Sequence, residues 1–265
     1  MSRVESVDVL RIIAIVAVIA IHTTPFELQS MPIGRTLDLA TVVNQAARFA
    51  VPLFFVLSGY FWANRFKDER EILEPTIRMA KRIAILFFVW SAIYLLPIDI
   101  VDSLSYGAIG PIKQIYWNLG SAANHPLVTL MEGTKVHLWF LVGLLCSLLI
   151  SALLLRFKFN RFLVVLAVTF YLVGLAGKAY SDTPLGFQTA FNFRNGPFFS
   201  LIFFVTGYFL QRKQPNRLWF PVGCSLVTFG VLLHFTELLI LMKIGVQRCV
   251  KTMSLERISL GSALH

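Results

Sequence analysis

"VLRIIAIVAVIAIHTT", residues 9–24, contains ten consecutive apolar residues, with Arg11 directly before them and His22 directly after them. The run is apolar enough to lie in lipid, yet its two ends carry a fixed positive charge and an ionisable imidazole. Such groups cost free energy inside a bilayer and are functional candidates by default. The stretch therefore predicts a membrane helix whose two ends carry polar chemistry.

The composition places the whole chain in a membrane. Of its 265 residues, 57% are hydrophobic and only 14% are charged, with a mean hydropathy of +0.71. Soluble domains are about 45–50% apolar and about 25% charged. The net charge is +10, but the basic residues occur in short connections between apolar runs. They indicate membrane topology and lipid-headgroup contacts, and they argue against nucleic-acid binding.

Seven segments are long enough to be considered membrane spans, since a helix needs about 20 apolar residues to cross the hydrocarbon core. The sixth segment is short, so it either begins before Pro197 or crosses a thinned patch of bilayer. We predict an all-α fold, a polytopic bundle of transmembrane helices, in residues 1–243, followed by a polar tail at residues 244–265. The predicted spans are 7–26, 42–63, 79–97, 137–155, 162–178, 197–210 and 219–242.

The basic residues predict the orientation of these spans. Cytoplasmic connections are enriched in Lys and Arg, and the connections after the second, fourth and sixth spans are the basic ones. We therefore expect the N-terminus in the cytoplasm. The tail departs from this pattern, because seven spans would place it outside although it is basic. The basic residues concerned are Arg65, Lys67, Arg70, Arg78, Lys81, Arg82, Arg156, Lys158, Arg161, Arg212, Lys213 and Arg217, and in the tail Lys243, Arg248, Lys251 and Arg257.

Arg11 and His22 are expected on one face of the first helix. Eleven residues turn through about 1,100° and rise about 16 Å, so the two side chains project in nearly the same direction from opposite ends. Asp8 lies three residues before Arg11 and can pair with it. The alternative is that Arg11 only reaches the headgroups and that His22 only ends the helix at the interface.

Two further segments combine aromatic and small residues. "VPLFFVLSGYFW", residues 51–62, contains Ser58 and Gly59, and "FFVTGYF", residues 203–209, repeats the pattern. Small residues let membrane helices approach closely, and Ser58 could instead offer a hydroxyl in the membrane. Packing is the favoured interpretation of both segments.

The remaining candidates lie near the predicted outer surface. "KVHLWFLVGLL", residues 135–145, contains His137 and Trp139, which are either an interfacial pair or part of a carbohydrate-facing site. The loop predicted over residues 98–135 contains Asn118 and His125 and could cover this site. Glu237 lies three residues after His234, on the same helix face, and is either a solvated carboxylate or an acceptor-side group. The sequence shows no metal-ligand spacing and no phosphate-binding loop.

Four of these motifs, in this order, resemble the acyltransferase-3 family of integral membrane acyltransferases. The family's opening is an Asp, a Leu-Arg pair and a His with ten residues between Arg and His, matched here by Asp8, Leu10, Arg11 and His22. "VPLFFVLSGYF", "HLWFLVGLL" and "GPFFSLIFFVTGYFL" resemble later helices. The residues of the second and third motifs most resemble those of the branch that O-acetylates surface polysaccharides, enterobacterial common antigen among them.

The resemblance implies transfer of acetyl from cytoplasmic acetyl-CoA to a sugar hydroxyl on the outer side of the bacterial inner membrane. Acetyl-CoA is then a co-substrate and no cofactor is bound. The catalytic residues would be His22, Arg11 and Asp8. Arg82 fits one member of the family's basic pair, while the other falls on Met79, so Arg78 and Lys81 are taken with Arg82 as donor-binding residues. The acceptor-side candidates are His137, Trp139, Ser58 and Glu237.

The family has about ten spans, and this sequence shows seven before the resemblance fades near Gly245. We therefore expect about three more helices in the natural fold. Two other functions remain open: a transporter that exports a glycan or small solute, and a non-catalytic partner in a polysaccharide assembly complex. The transferred group could also be succinyl or a longer acyl chain.

Overall fold

The computed structural model of the chain describes residues 5–23, 32–33, 37–97, 107, 109–181, 183–189, 191–213 and 219–243. Apart from two strands of two residues each, β1 Pro32–Ile33 and β2 Leu37–Asp38, every regular element in this part is helical. The α-helices are α1 Glu5–Thr23, α2 Leu39–Ala47, α3 Ala50–Ala63, α4 Leu73–Ile93, α5 Gly110–Asn124, α6 Pro126–Glu132, α7 Trp139–Arg156, α8 Asn160–Gly174, α9 Pro197–Arg212 and α10 Trp219–Lys243.

The helices confirm the predicted fold class in part. A helix overlaps each of the seven predicted spans. Within the described residues, three helical stretches are long and apolar enough to cross a membrane, namely Val42–Ala63, Val136–Arg156 and Asn160–Ala179. The chain is therefore a membrane-type helical protein. The number of seven spans and the cytoplasmic N-terminus stay predictions.

The contact between α3 and α9 is the most extensive one between helices, and it depends on two glycines. A Cβ atom on Gly59 would lie 2.0 Å from the carbonyl oxygen of Phe204, and one on Gly207 would lie 1.9 Å from that of Val56. Only residues without a side chain allow the two backbones to approach so closely, which is how small residues promote helix association in lipid. The packing interpretation of the two related segments is confirmed at Gly59 and Gly207.

Buried hydrogen bonds fasten the neighbouring helices to this pair. The Trp62 Nε1 of α3 donates to the Thr76 Oγ1 of α4 over 3.1 Å. The Ser147 and Ser200 hydroxyls of α7 and α9 lie 2.7 Å apart, and both side chains are fully buried. Side-chain hydrogen bonds between helices are a favourable source of stability in a membrane, where the hydrophobic effect does not drive helices together.

The aromatic contacts show how the helices are directed. The Phe55 ring, near the start of α3, lies 6.2 Å from Trp139 at the start of α7 and 6.3 Å from Phe199 at the start of α9. Gly174, at the end of α8, packs against Phe198 at the start of α9. The helices α3, α7 and α9 therefore run in one direction and α8 in the other, in agreement with the predicted alternation of spans.

The long connection before α7 differs from its prediction. Residues 98–135 were expected to form a loop, but they include the helices α5 and α6. Each of these helices has a proline in its first turn, where the missing N–H has no helical partner to lose. The expectation of a loop was wrong because neither helix contains an apolar run long enough to be counted as a membrane span.

Candidate functional site

Arg11 and His22 lie on the single uninterrupted helix α1, as predicted. The Arg11 Nη1 donates to the Asp8 Oδ1 over 3.4 Å, so the predicted pairing of these residues is confirmed as a contact. The Arg11 guanidinium carbon also lies 4.5 Å from the centre of the Phe61 ring of α3, a cation–π geometry. Asp8 and Phe61 together hold Arg11 at one end of the bundle, called here the arginine end.

The opposite end of α1 brings two predicted site residues together. The ring centres of His22 and His137 lie 6.2 Å apart with an angle of 72° between the planes. Tyr94 lies just after α4, and its ring centre is 5.0 Å from that of His137 in an edge-to-face contact. Three ring side chains from three separate parts of the chain thus meet, and the region around His22, Tyr94 and His137 is called here the histidine end.

Trp139 is partly buried and packs against the hydrophobic core at this end. Its ring centre lies 5.8 Å from that of Phe199, and the Arg194 guanidinium carbon lies 4.9 Å from the indole centre. One face of the indole is therefore covered by the guanidinium. The carbohydrate-facing role of Trp139 stays a prediction, and Arg194 occupies one of the two indole faces on which a sugar ring could stack.

The other predicted residues are placed as follows. The Ser58 hydroxyl donates to the Phe54 carbonyl oxygen of its own helix over 2.7 Å, which fits a packing role. The predicted donor-binding residues lie in the first half of α4, at the arginine end, and their side chains are exposed; they are Arg78, Lys81 and Arg82. The Arg78 Nη2 donates to the Glu74 Oε1 over 2.6 Å. Glu237 is on α10, but its side chain lies outside the described part.

A polar cluster at the histidine end was missed by the sequence analysis. The Glu132 Oε1 accepts hydrogen bonds from the Asn192 Nδ2 at 3.1 Å and from the Asn195 Nδ2 at 2.7 Å. The signal for it is "NFRNG", residues 192–196, a polar block directly before the apolar run of α9. Sequence reasoning recorded only its positive charge, because nothing local connects this block with Glu132.

Beside this cluster lies a cavity of about 430 Å³. Asn118 and His125, which the sequence analysis expected near the same mouth, both line it, and so does Val136, the residue before His137. The cavity therefore lies at the histidine end. The other lining residues are Ser121, Ala122, Val128, Thr129, Glu132, Gly133 and Thr134.

A second cavity, of about 600 Å³, lies where α9 meets the connection after α3. The Tyr208 hydroxyl donates to the Glu69 Oε1 over 3.0 Å at its wall. Arg212 donates to the carbonyl oxygens of Lys67 and Phe66 over 2.9 and 3.2 Å. These contacts fasten α9 at the arginine end and engage the Arg212 guanidinium with the backbone.

The arrangement at the histidine end suits proton transfer and nucleophilic chemistry. An imidazole can take a proton from a hydroxyl or carry an acyl group near neutral pH, and two imidazoles stand side by side here. Among the described residues, no group of three or more His, Cys, Asp or Glu side chains could hold a metal ion.

Comparison with known proteins identifies the family. The sequence pattern of the acyltransferase-3 family, described as an acyltransferase domain, matches residues 4–244. A serine/alanine racemase of Enterococcus gallinarum is 28% identical over 232 residues, which cover 80% of this chain and 30% of that protein. An amino-acid racemase of Enterococcus faecalis is 29% identical over 224 residues, 79% of this chain and 29% of that protein.

The chain thus spans about three tenths of the length of these curated relatives. No solved structure matches it. The family match, by contrast, covers nearly the whole chain, from before α1 to the end of α10. The chain belongs to the acyltransferase-3 family.

Proposed function

We propose that the chain is an O-acetyltransferase of the bacterial inner (plasma) membrane, with several membrane passes and a cytoplasmic N-terminus. It transfers acetyl from cytoplasmic acetyl-CoA to a hydroxyl of a cell-surface polysaccharide or of its lipid-linked precursor. The observation that carries the proposal is the layout of α1, whose Arg11 is held at one end of the bundle and whose His22 meets His137 at the other.

The donor approaches from the arginine end. Arg11 is oriented by Asp8 and Phe61, and the exposed cations of α4 lie at the same end, where they would attract the phosphates of acetyl-CoA. The helical rise places His22 about 16 Å from Arg11. The pantetheine arm of the donor is long and thin, so it can bring its thioester from one end towards the other.

The acetyl transfer takes place at the histidine end. As the acceptor oxygen attacks the thioester carbonyl carbon, an imidazole nitrogen of His22 takes the hydroxyl proton, and the carbon–sulfur bond breaks to release the CoA thiolate. In the second route His22 itself attacks the thioester carbonyl carbon and the CoA thiolate leaves. The sugar oxygen then attacks the acetyl-imidazole, the nitrogen–carbon bond breaks, and the freed imidazole nitrogen takes the hydroxyl proton. An acetylated protein trapped with labelled acetyl-CoA in the absence of acceptor would establish the second route.

The test is the transfer of labelled acetyl from acetyl-CoA into membrane glycan, with N-acetylglucosamine of enterobacterial common antigen among the acceptors. We expect His22→Ala to lower the rate by roughly 10²- to 10⁴-fold, the usual contribution of a general acid–base residue. Thr23→Ala is the matched control, because Thr23 is the next residue of α1 and its hydroxyl donates only to the Ile19 carbonyl oxygen.

Loss of label in His22→Ala but not in Thr23→Ala supports the proposal. Equal label in wild type and in His22→Ala contradicts the role of His22. If wild type incorporates no label while a glycan still crosses the membrane in a protein-dependent way, the transporter alternative replaces the enzyme. The relatives named as racemases share only 30% or less of their length with this chain. Racemisation is therefore not proposed for this chain.

A further inference from the structure

We propose that the cavity of about 430 Å³ at the histidine end is the subsite for the acceptor, and that it takes an uncharged sugar ring whose hydroxyl groups donate to Glu132. This inference rests on the proposed function and adds to it a place and a chemical class for the acceptor. The size of the cavity lies within the range of about 300–1,000 Å³ that small-molecule sites occupy.

The position of the cavity suits an acceptor. Val136 lines it, and the next residue, His137, has its ring centre 6.2 Å from that of His22. A sugar ring held in the cavity therefore lies at the same end of the bundle as the imidazole that is proposed to act on its hydroxyl. The cavity and the two imidazoles belong to the same end of the bundle.

Two hydrogen bonds fix the position of the Glu132 carboxylate. Two amides, from Asn192 and Asn195, donate to the same oxygen, Oε1, at 3.1 and 2.7 Å. Asn195 is only 3% exposed, so this support is part of the packed structure. Hydrogen bonds from hydroxyl groups to an ionised carboxylate are shorter and about twice as strong as neutral ones. Glu132 is thus a preorganised acceptor for sugar hydroxyl groups.

The other polar side chains of the lining offer mainly hydrogen-bond acceptors to a ligand, because several of their donor groups already bond to backbone carbonyl oxygens. The Thr129 hydroxyl donates to the Ala122 carbonyl oxygen over 3.1 Å, and the Thr134 hydroxyl donates to that of Ser91 over 2.8 Å. The Asn118 Nδ2 donates to the Leu95 carbonyl oxygen over 3.1 Å. The oxygens of these side chains can still accept, so the lining complements a ligand that carries many O–H donors.

The charge of the lining excludes acidic sugars. Glu132 is a carboxylate, and none of the described lining residues is Lys or Arg. A uronic acid or a phosphorylated sugar in this cavity would face Glu132 with no Lys or Arg side chain in the described lining itself, and like charges placed together are an effective means of rejecting a ligand. An uncharged hexose or N-acetylhexosamine meets no such repulsion.

The experiment measures binding by the purified full chain of two probes, an N-acetylglucosamine disaccharide and a disaccharide that contains glucuronic acid. We expect the neutral probe to bind more tightly than the acidic one. Glu132→Gln should weaken binding of the neutral probe roughly 10- to 100-fold, as expected for loss of hydrogen bonds to a charged group. Glu71→Gln, at an exposed carboxylate near the arginine end, is the matched control and should bind as wild type does.

His125→Ala provides a second variant in case Glu132→Gln does not fold, since His125 is exposed and its side chain caps no helix. It should weaken binding of the neutral probe several-fold. Unchanged binding in both variants, or tighter binding of the acidic probe, overturns the subsite. Binding that depends on Glu132, without acetyl transfer, would support the subsite and refute the proposed function. Acetyl transfer with sugar binding that does not depend on Glu132 would support the proposed function and refute the subsite.

Discussion

The residues proposed to act at the two ends of the bundle find their polar partners in different ways. At the arginine end, each of their ion pairs lies within a single helix, Asp8 with Arg11 three residues apart and Glu74 with Arg78 four residues apart. Polar contacts that cross the fold at this end are made by other residues, such as Tyr208 and Arg212 of α9. At the histidine end, the contacts cross the fold: His22 meets His137, and Glu132 meets two asparagines that lie 60 and 63 residues further on.

The difference shows which parts of a site tolerate change. A pair within one helix forms wherever that helix forms, and at exposed positions it contributes little, typically about 0–1 kcal/mol. A contact between distant segments exists only when all the intervening helices are packed correctly. The histidine end should therefore respond more strongly than the arginine end to substitutions, including those made in the helix packing beneath it.

After the effect of His22→Ala, the largest effect is expected for His137→Gln. If His137 acts beside His22 on the acceptor hydroxyl, its loss should lower kcat of acetyl transfer roughly 10²-fold, the lower bound for an acid–base group, while the KM for acetyl-CoA changes little. Steady-state kinetics of labelled acetyl transfer measure kcat and the KM for acetyl-CoA separately. Tyr94→Phe keeps the ring that contacts His137 and should retain most of the activity. A change in the acetyl-CoA KM alone would place His137 on the donor side.

The next effect concerns the packing that supports both ends. Gly207→Ala places a Cβ atom against the Val56 carbonyl oxygen, and overpacking of this kind costs about 1–3 kcal/mol. We expect a lower free energy of unfolding in detergent and less folded protein in the membrane. Gly230→Ala is the matched control, because a Cβ atom at Gly230 on α10 meets nothing within 4 Å. Equal stability of the two variants would contradict the close contact of α3 with α9.

The smallest effect is expected at the arginine end. Arg11→Gln removes the charge beside Asp8 and Phe61 and should raise the KM for acetyl-CoA roughly tenfold, equivalent to about 1.4 kcal/mol, with the acceptor KM unchanged. Arg161→Gln removes an exposed charge in the first turn of α8 and should leave the acetyl-CoA KM unchanged. If both variants raise the acetyl-CoA KM equally, the effect comes from the total positive charge at this end, and Arg11 has no specific role in binding the donor.

Sequence patterns predicted the elements best where a long apolar run is bounded by polar groups. The run between Arg11 and His22 became one continuous helix, and α9 begins at Pro197 as expected, because Gly196 has a positive φ of 63° and ends the preceding turn. The helices α5 and α6 were not predicted, because neither contains an apolar run long enough to span a membrane. Packing against neighbouring segments contributes most of the stability of such helices.

The sequence by itself determined the membrane class, the helical character, the family and the pairing of Asp8 with Arg11, since all of these depend on composition or on residues a few positions apart. Only the tertiary structure decided that His22 stands beside His137, that Arg194 covers a face of Trp139, and that Asn192 and Asn195 support Glu132 beside a cavity. These residues are distant along the chain, and no local periodicity relates them. They meet because helices such as α3 and α9 approach closely at Gly59 and Gly207, and that packing positions the segments between them.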